Sequence, residues 1–124
     1  MLRALLAGVV VVGAAACGDA DADRAAEAAG LYETVTVYSA AYADGDGDTA
    51  IELLAEQCSR ATGLIRTAVE VIGEQYDELA PVEFDADVDD NEATVSYTFE
   101  NAPELARDGE RWVLEDGRWR FADC

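Results

Sequence analysis

Apolar residues recur at helical spacing along the middle third of the chain. The first such pattern predicts a helix over residues 31–43, whose buried face contains Leu31, Val35, Tyr38 and Tyr42. An Asp-Gly run then predicts a break, and a second helix is expected to begin at Thr49, with Thr49 and Glu52 as a capping box. A third pattern predicts a helix over residues 59–80 that Pro81 ends.

After residue 81 the period changes to two, which is typical of half-buried strands. Residues 82–88 and 93–99 form the first two alternating runs, and residues 101–109 are predicted as a loop. A closing hairpin is expected over residues 111–115 and 118–123, joined by an Asp-Gly turn. The large aromatic side chains expected in the core are Phe99, Trp112, Trp119 and Phe121.

Three helices followed by a four-stranded meander predict an α+β domain, with the helices on one face of an antiparallel sheet. This order of elements shows no internal repeat. The amount of chain after residue 30 is enough for one small domain with one core.

A different pattern occupies the beginning of the chain. Residues 4–13 form an apolar run of ten residues that follows Arg3. This run is too short to span a bilayer, and its length is typical of a secretory signal peptide. Three alanines and Cys17 follow, and this stretch resembles the bacterial lipoprotein signal. The resemblance implies cleavage after Ala16 and a diacylglycerol group on Cys17. The alternative is an ordinary signal cut at the same alanines, which would leave Cys17 as a plain thiol.

These patterns predict three segments. Residues 1–16 are the lipoprotein signal peptide, residues 17–30 are the lipidated cysteine with an acidic tether, and residues 31–124 are the folded domain. Two acyl chains give stable anchoring where one would be marginal. We therefore expect the chain to bind the cell membrane through the lipid on Cys17, on the extracytoplasmic side.

The charge of the chain is strongly negative. It contains 27 acidic residues against eight arginines, and its formal net charge is −19. Without the leader and its Arg3 the net charge is about −20, which repels nucleic acid, so we expect no nucleic-acid partner. The sequence has no histidine, which is the usual general base near neutral pH and the commonest transition-metal ligand. We expect no cofactor and no metal site.

One acidic motif needs a separate test. Asp44, Asp46 and Asp48 have the spacing of the first half of a calcium loop. However, Thr49 stands where such a loop has its turn glycine, and Ala55 stands where it has its bidentate glutamate. We interpret the run as a turn followed by a helix start.

Two stretches, residues 38–58 and 112–124, carry a second resemblance. The first is similar to the helix, Gly-Asp turn and short helix that open the nuclear-transport-factor-2-like (cystatin-like) superfamily, in the small lipoprotein branch common in actinobacteria. The second is similar to its closing hairpin. The resemblance implies a curved four-stranded sheet that forms a cone with the helices. It also implies a disulfide between Cys58 and Cys124; the alternative is two buried thiols.

Enzymes of this superfamily, such as isomerases and cyclases, use an Asp, His or Tyr inside the cone, but no such motif maps onto this sequence. The resemblance therefore favours a non-enzymatic domain that binds a small apolar ligand or an envelope protein. The residues expected to line its pocket are Tyr38, Tyr42, Tyr76, Tyr97, Phe99, Trp112 and Trp119. The alternatives are a small-molecule enzyme that uses pocket Tyr and Asp, and an accessory or regulatory subunit of an envelope complex.

Each alternative predicts a different structural feature. A buried carboxylate beside a tyrosine in an open pocket would favour an enzyme, whereas a cone filled by aromatic side chains would favour an interaction domain. An accessory subunit predicts an exposed apolar patch on the sheet.

The closing hairpin contains a basic patch of Arg111, Arg118 and Arg120. We expect these arginines to pair with Asp85, Asp87 or Glu115 across the sheet, or else to receive an anionic partner.

Overall fold

A computed structural model describes residues 27–124 of the chain. The predicted signal peptide, Cys17 and most of the predicted tether lie outside the described residues. Within the described part, no helix has both the length and the apolar character that a membrane crossing requires.

The first helix, α1, includes residues 27–44 of the described chain. Its first four described residues belong to the stretch that the sequence predicted as tether. The predicted core face is confirmed, because Leu31, Val35, Tyr38 and Tyr42 are all buried.

The second helix, α2, spans Gly47–Glu52, and the predicted capping box is wrong. Asp46 is the N-cap residue: its carboxylate accepts hydrogen bonds from the Thr49 backbone N–H at 3.2 Å and from the Thr49 hydroxyl at 2.6 Å. A carboxylate is a strong acceptor at the positive end of a helix, so the helix begins two residues earlier than predicted.

The predicted third helix is divided and shorter. A 3-10 helix, Glu56–Ala61, contains Cys58 and precedes α3, which spans Thr62–Gln75. The predicted end at residue 80 is wrong, because the backbone is extended at Tyr76. The non-helical segment that follows buries Leu79 in the core, so tertiary packing overrides the helical periodicity here.

The strands are β1 Val82–Asp89, β2 Glu92–Thr98, β3 Arg107–Glu115 and β4 Arg118–Phe121. They form an antiparallel sheet in the order β1-β2-β3-β4, which confirms the predicted α+β class and meander. β1 and β2 lie within one residue of their predicted ends, and β3 and β4 each differ from the prediction at one end by more than that. β3 begins four residues earlier, after a short 3-10 helix at Pro103–Leu105, and β4 ends at Phe121.

The end of the chain is fixed to the helical layer by covalent and hydrogen bonds. Cys58 and Cys124 form a disulfide with their Cα atoms 5.7 Å apart. Nearby, the Phe121 N–H donates to the Leu53 carbonyl at 2.7 Å, and the Ala55 N–H donates to the Phe121 carbonyl at 2.8 Å. Closing a loop of 66 residues stabilises the fold by about 4 kcal/mol on the loop-entropy model.

One core lies between the helices and the inner face of the sheet. Phe99, Trp112, Trp119 and Phe121 are all buried, as predicted. Tyr38 of α1 stacks on Phe121 with ring centroids 5.0 Å apart, and it meets Trp112 edge-on at 5.4 Å. These aromatic contacts join the first helix to the last two strands.

The outer face of the sheet is polar, and the predicted pairing with Asp85, Asp87 or Glu115 is wrong for Arg111 and for Arg120. Arg111 lies 3.1 Å from Glu92 on the neighbouring strand, because the antiparallel register brings their positions together. Arg120 donates instead to the Glu52 backbone carbonyl.

Candidate functional site

A small cavity opens between α1, α3 and the inner face of the sheet. We call it the Glu110 cavity, after the carboxylate in its wall. Its volume is about 30 Å³, which is room for roughly two water molecules. Its lining residues are Tyr38, Ser39, Tyr42, Ile72, Leu79, Tyr97, Phe99, Leu105, Arg107 and Glu110.

Four of the seven residues predicted for the pocket lie in this lining: Tyr38, Tyr42, Tyr97 and Phe99. The other three, Tyr76, Trp112 and Trp119, do not line it. Trp112 and Trp119 are packed in the core, and the Tyr76 hydroxyl donates to Glu104 at the surface.

Glu110 is buried on the inner face of β3, with 2% of its surface exposed. Its Oε1 atom accepts hydrogen bonds from the Tyr97 hydroxyl at 2.7 Å and from the Trp112 indole N–H at 2.9 Å. Its Oε2 atom lies 3.6 Å from Nε of Arg107, which is three residues earlier on the same strand. Both carboxylate oxygens therefore face donors.

The environment of the Glu110 cavity changes the acidity of its groups. Desolvation raises the pKa of the Glu110 carboxyl above 4.5, and the donors from Tyr97 and Trp112 and the charge of Arg107 only partly oppose this. Burial also raises the pKa values of Tyr38, Tyr42 and Tyr97. These three hydroxyls are therefore protonated near neutral pH.

Several donors at the cavity have no acceptor among the described residues. The hydroxyls of Tyr38 and Tyr42 lie 3.1 Å apart, and whichever one donates, the hydrogen of the other has no partner in the described chain. The ion pair of Arg107 with Glu110 uses Nε, so its terminal nitrogens are left for other acceptors, and the side chain is 51% exposed to solvent.

Sequence reasoning missed Glu110 and Arg107 because it placed residues 101–109 in a loop. The signal was the alternation of β3: positions 110, 112 and 114 share one face, so extending the strand backwards from Trp112 places Glu110 inside. Burying a carboxylate costs desolvation free energy, so a strand that places Glu110 inside is not expected from the sequence unless the hydrogen-bond donors to Glu110 are known. Those donors come from β2 and from Trp112 itself.

The acidic run before α2 is occupied by local contacts. Asp46 caps α2, and Asp48 forms an exposed ion pair with Arg66 at 3.0 Å. Within residues 27–124, no group of three or more Cys, Asp or Glu side chains is arranged to hold a metal ion.

Apolar side chains are exposed on the helices rather than on the sheet. Among the described residues, the large ones are Tyr32 and Val37 on α1 and Leu64 and Val71 on α3, and Leu64 is 74% exposed. The patch that the accessory-subunit alternative predicted on the sheet is therefore not found there.

No protein-family model, no curated protein and no solved structure matches this chain. The function of the site has to be inferred from its own geometry.

The Glu110 cavity is better suited to holding a small group than to converting a substrate. Pockets for drug-sized ligands have volumes of about 300–1,000 Å³, which is roughly 10 to 30 times the volume of this cavity. A general base also needs an oxygen free to take a proton from the substrate; Oε1 of Glu110 already accepts two hydrogen bonds, which leaves only Oε2, 3.6 Å from Nε of Arg107, for that role. The cavity does present donors that an entering oxygen atom could use.

Proposed function

We propose that this chain is a membrane-anchored extracytoplasmic lipoprotein whose domain binds a ligand or partner without catalysing a reaction. The anchor rests on the resemblance of residues 1–17 to a lipoprotein signal, with Cys17 as the lipidated residue. We also propose that the α+β domain is a nuclear-transport-factor-2-like cone. Helices on one face of a four-stranded antiparallel meander support that proposal.

The single observation that carries the binding function is the filled interior. Phe99, Trp112, Trp119 and Phe121 are buried between the layers, and the space that remains is about 30 Å³. A cavity of that size admits one functional group of a ligand or of a partner's side chain. It does not enclose a substrate together with the catalytic groups that would surround it.

One observation favours the enzymatic alternative. Glu110 is a buried carboxylate with a raised pKa, and it lies beside the Tyr97 hydroxyl, a combination that active sites use for acid–base chemistry. We place binding first because the cavity of about 30 Å³ is too small to enclose a substrate, and because Oε1 of Glu110 already accepts two hydrogen bonds from the protein.

Native mass spectrometry of the protein released from its own membrane tests this proposal. The expected mass is that of residues 17–124 with a diacylglycerol group on Cys17, two hydrogens fewer for the disulfide, and any retained ligand. An unmodified Cys17 at the N-terminus would end the lipoprotein claim. Two free thiols would end the disulfide claim.

Two variants control this experiment. Cys17→Ala should lose both the lipid and the membrane association, because it removes the proposed acylation site. A variant with Cys58→Ala and Cys124→Ala also loses thiols but should keep the lipid. For the enzymatic alternative, a retained ligand whose NMR spectrum changes during incubation with wild-type protein, with or without a change of mass, but not with Glu110→Gln, would show turnover and overturn the binding function.

A further inference from the structure

The donors around the Glu110 cavity restrict what it can bind. The cavity offers the hydrogen that the Tyr38–Tyr42 hydroxyl pair does not use between its two members, and the terminal nitrogens of Arg107, whose side chain is 51% exposed. Its one carboxylate, Glu110, already faces three donors. A ligand that matches these donors is therefore a group with oxygen acceptors.

The volume of the cavity and the residues at its mouth indicate the size of the ligand's headgroup and the apolar character of its remaining part. About 30 Å³ accommodates a headgroup of a few atoms, so the remainder must lie at the mouth. The less deeply buried lining residues there include two apolar side chains, Ile72 and Leu105, beside half-exposed Arg107. A short apolar body could cover Ile72 and Leu105 while the headgroup reaches the donors.

Charge distinguishes between an acidic and a neutral headgroup. The planar guanidinium of Arg107 presents its terminal N–H groups as a fork that matches the two oxygens of a carboxylate. The net charge of the chain disfavours anions in general, so the affinity for such a ligand must depend on Arg107 itself.

We propose that the Glu110 cavity is a binding site for a short monocarboxylate, whose carboxylate lies between Arg107 and the Tyr38–Tyr42 hydroxyls and whose apolar body covers Ile72 and Leu105. This inference rests on the proposed binding function and names the class of ligand for it. The source is either a free metabolite acid or the carboxyl terminus of a partner peptide, which share this chemistry.

The structure contains its own reporter of occupancy. The indole N–H of Trp112 donates to Glu110 at 2.9 Å, so a charge entering the cavity changes its NMR frequency. Trp119 is also buried but does not line the cavity, and its indole N–H is the internal reference. We would titrate the full chain, purified in detergent from its own membrane, with sodium butyrate and record both indole resonances.

We expect butyrate to shift the Trp112 resonance in a saturable way and to leave Trp119 unchanged. Butyramide has the same shape without the charge and should bind at least tenfold more weakly. Arg107→Gln should weaken butyrate binding about 10- to 100-fold, because it removes a charge-assisted contact. Arg111→Gln is the matched control: Arg111 lies on the same strand, is also 51% exposed and is also paired with a glutamate, but it faces away from the cavity.

Four results would overturn the inference: no saturable shift of Trp112, equal shifts of both tryptophans, equal effects of the two arginine variants, or binding of butylammonium in preference to butyrate. A short peptide with a free C-terminal carboxylate, tested beside its amidated form, separates the two sources. New resonances from a converted probe would overturn the proposed function instead, so the two failures are distinguishable.

Discussion

The two faces of the sheet place their carboxylates in opposite environments. On the outer face, Glu92 is 67% exposed and lies 3.1 Å from Arg111, which is itself half exposed. On the inner face, Glu110 is 2% exposed and lies 3.6 Å from Arg107, with two further donors from Tyr97 and Trp112. Both ion pairs use an arginine of β3, so the two pairs differ mainly in how far their glutamates are exposed to solvent.

Burial, not pairing, determines what a carboxylate does in this protein. Water solvates Glu92, and its ion pair contributes little to stability. Glu110 has lost that water, so its position depends on the donors around it. The inner carboxylate therefore organises a cavity, whereas the outer one contributes to a solvated surface.

The largest difference between the faces should appear at adjacent residues of β3. Trp112→Ala removes a fully buried side chain from the inner face and should lower the free energy of unfolding by roughly 3–5 kcal/mol. Val113→Ala, on the outer face, should lower it by about 1 kcal/mol or less. Urea unfolding measured by circular dichroism checks both values, and losses of equal size would contradict the assignment of the faces.

Removing each glutamate should give the next largest difference. Glu110→Ala leaves the Tyr97 hydroxyl and the Trp112 indole without their acceptor and should cost about 2–4 kcal/mol of unfolding free energy. Glu92→Ala breaks an exposed pair and should cost less than about 1 kcal/mol. The same unfolding experiment measures both, and an equally small loss for Glu110→Ala would show that the buried hydrogen bonds do not stabilise the fold.

Much of the fold could be predicted from the sequence because its periodicities are clear. Alternation placed β1 and β2 within about one residue of their observed ends, and helical spacing identified the buried face of α1. The errors occurred where tertiary contacts override a local pattern. Leu79 ends α3 early by entering the core, and Asp46 starts α2 early by capping it.

The candidate site could be predicted only in part. Tyr38, Tyr42, Tyr97 and Phe99 belong to apolar faces that the pattern identifies directly. Glu110 does not, because a glutamate at an inward position contradicts the alternation until its donors from another strand are known. The pairing register of β2 and β3 brings the Tyr97 hydroxyl to Glu110, and this register cannot be determined from the sequence of either strand alone.

A smaller effect should appear as a dependence of stability on pH. Because burial raises the pKa of Glu110 above 4.5, the folded state binds the proton more tightly than the unfolded state does. The contribution of Glu110 is fully present below about pH 4.5 and is lost as the pH rises through the raised pKa. The loss is about 1.4 kcal/mol for each pH unit that separates the folded-state pKa from the unfolded-state pKa.

The quantity to measure is the difference in unfolding free energy between wild type and Glu110→Gln, because it isolates the contribution of this one carboxyl group. That difference should change in favour of Glu110→Gln as the pH rises. A difference that moves the other way would mean that the donors and Arg107 outweigh the desolvation of Glu110.

The most direct test of the central claim, that Glu110 is held inside a binding cavity by its donors, is an NMR titration of its side-chain carboxyl carbon. The structure predicts a pKa above 4.5 and a simultaneous change of the Trp112 indole N–H resonance, with no change at Trp119. Titration at the ordinary value with no response from Trp112 would contradict the claim.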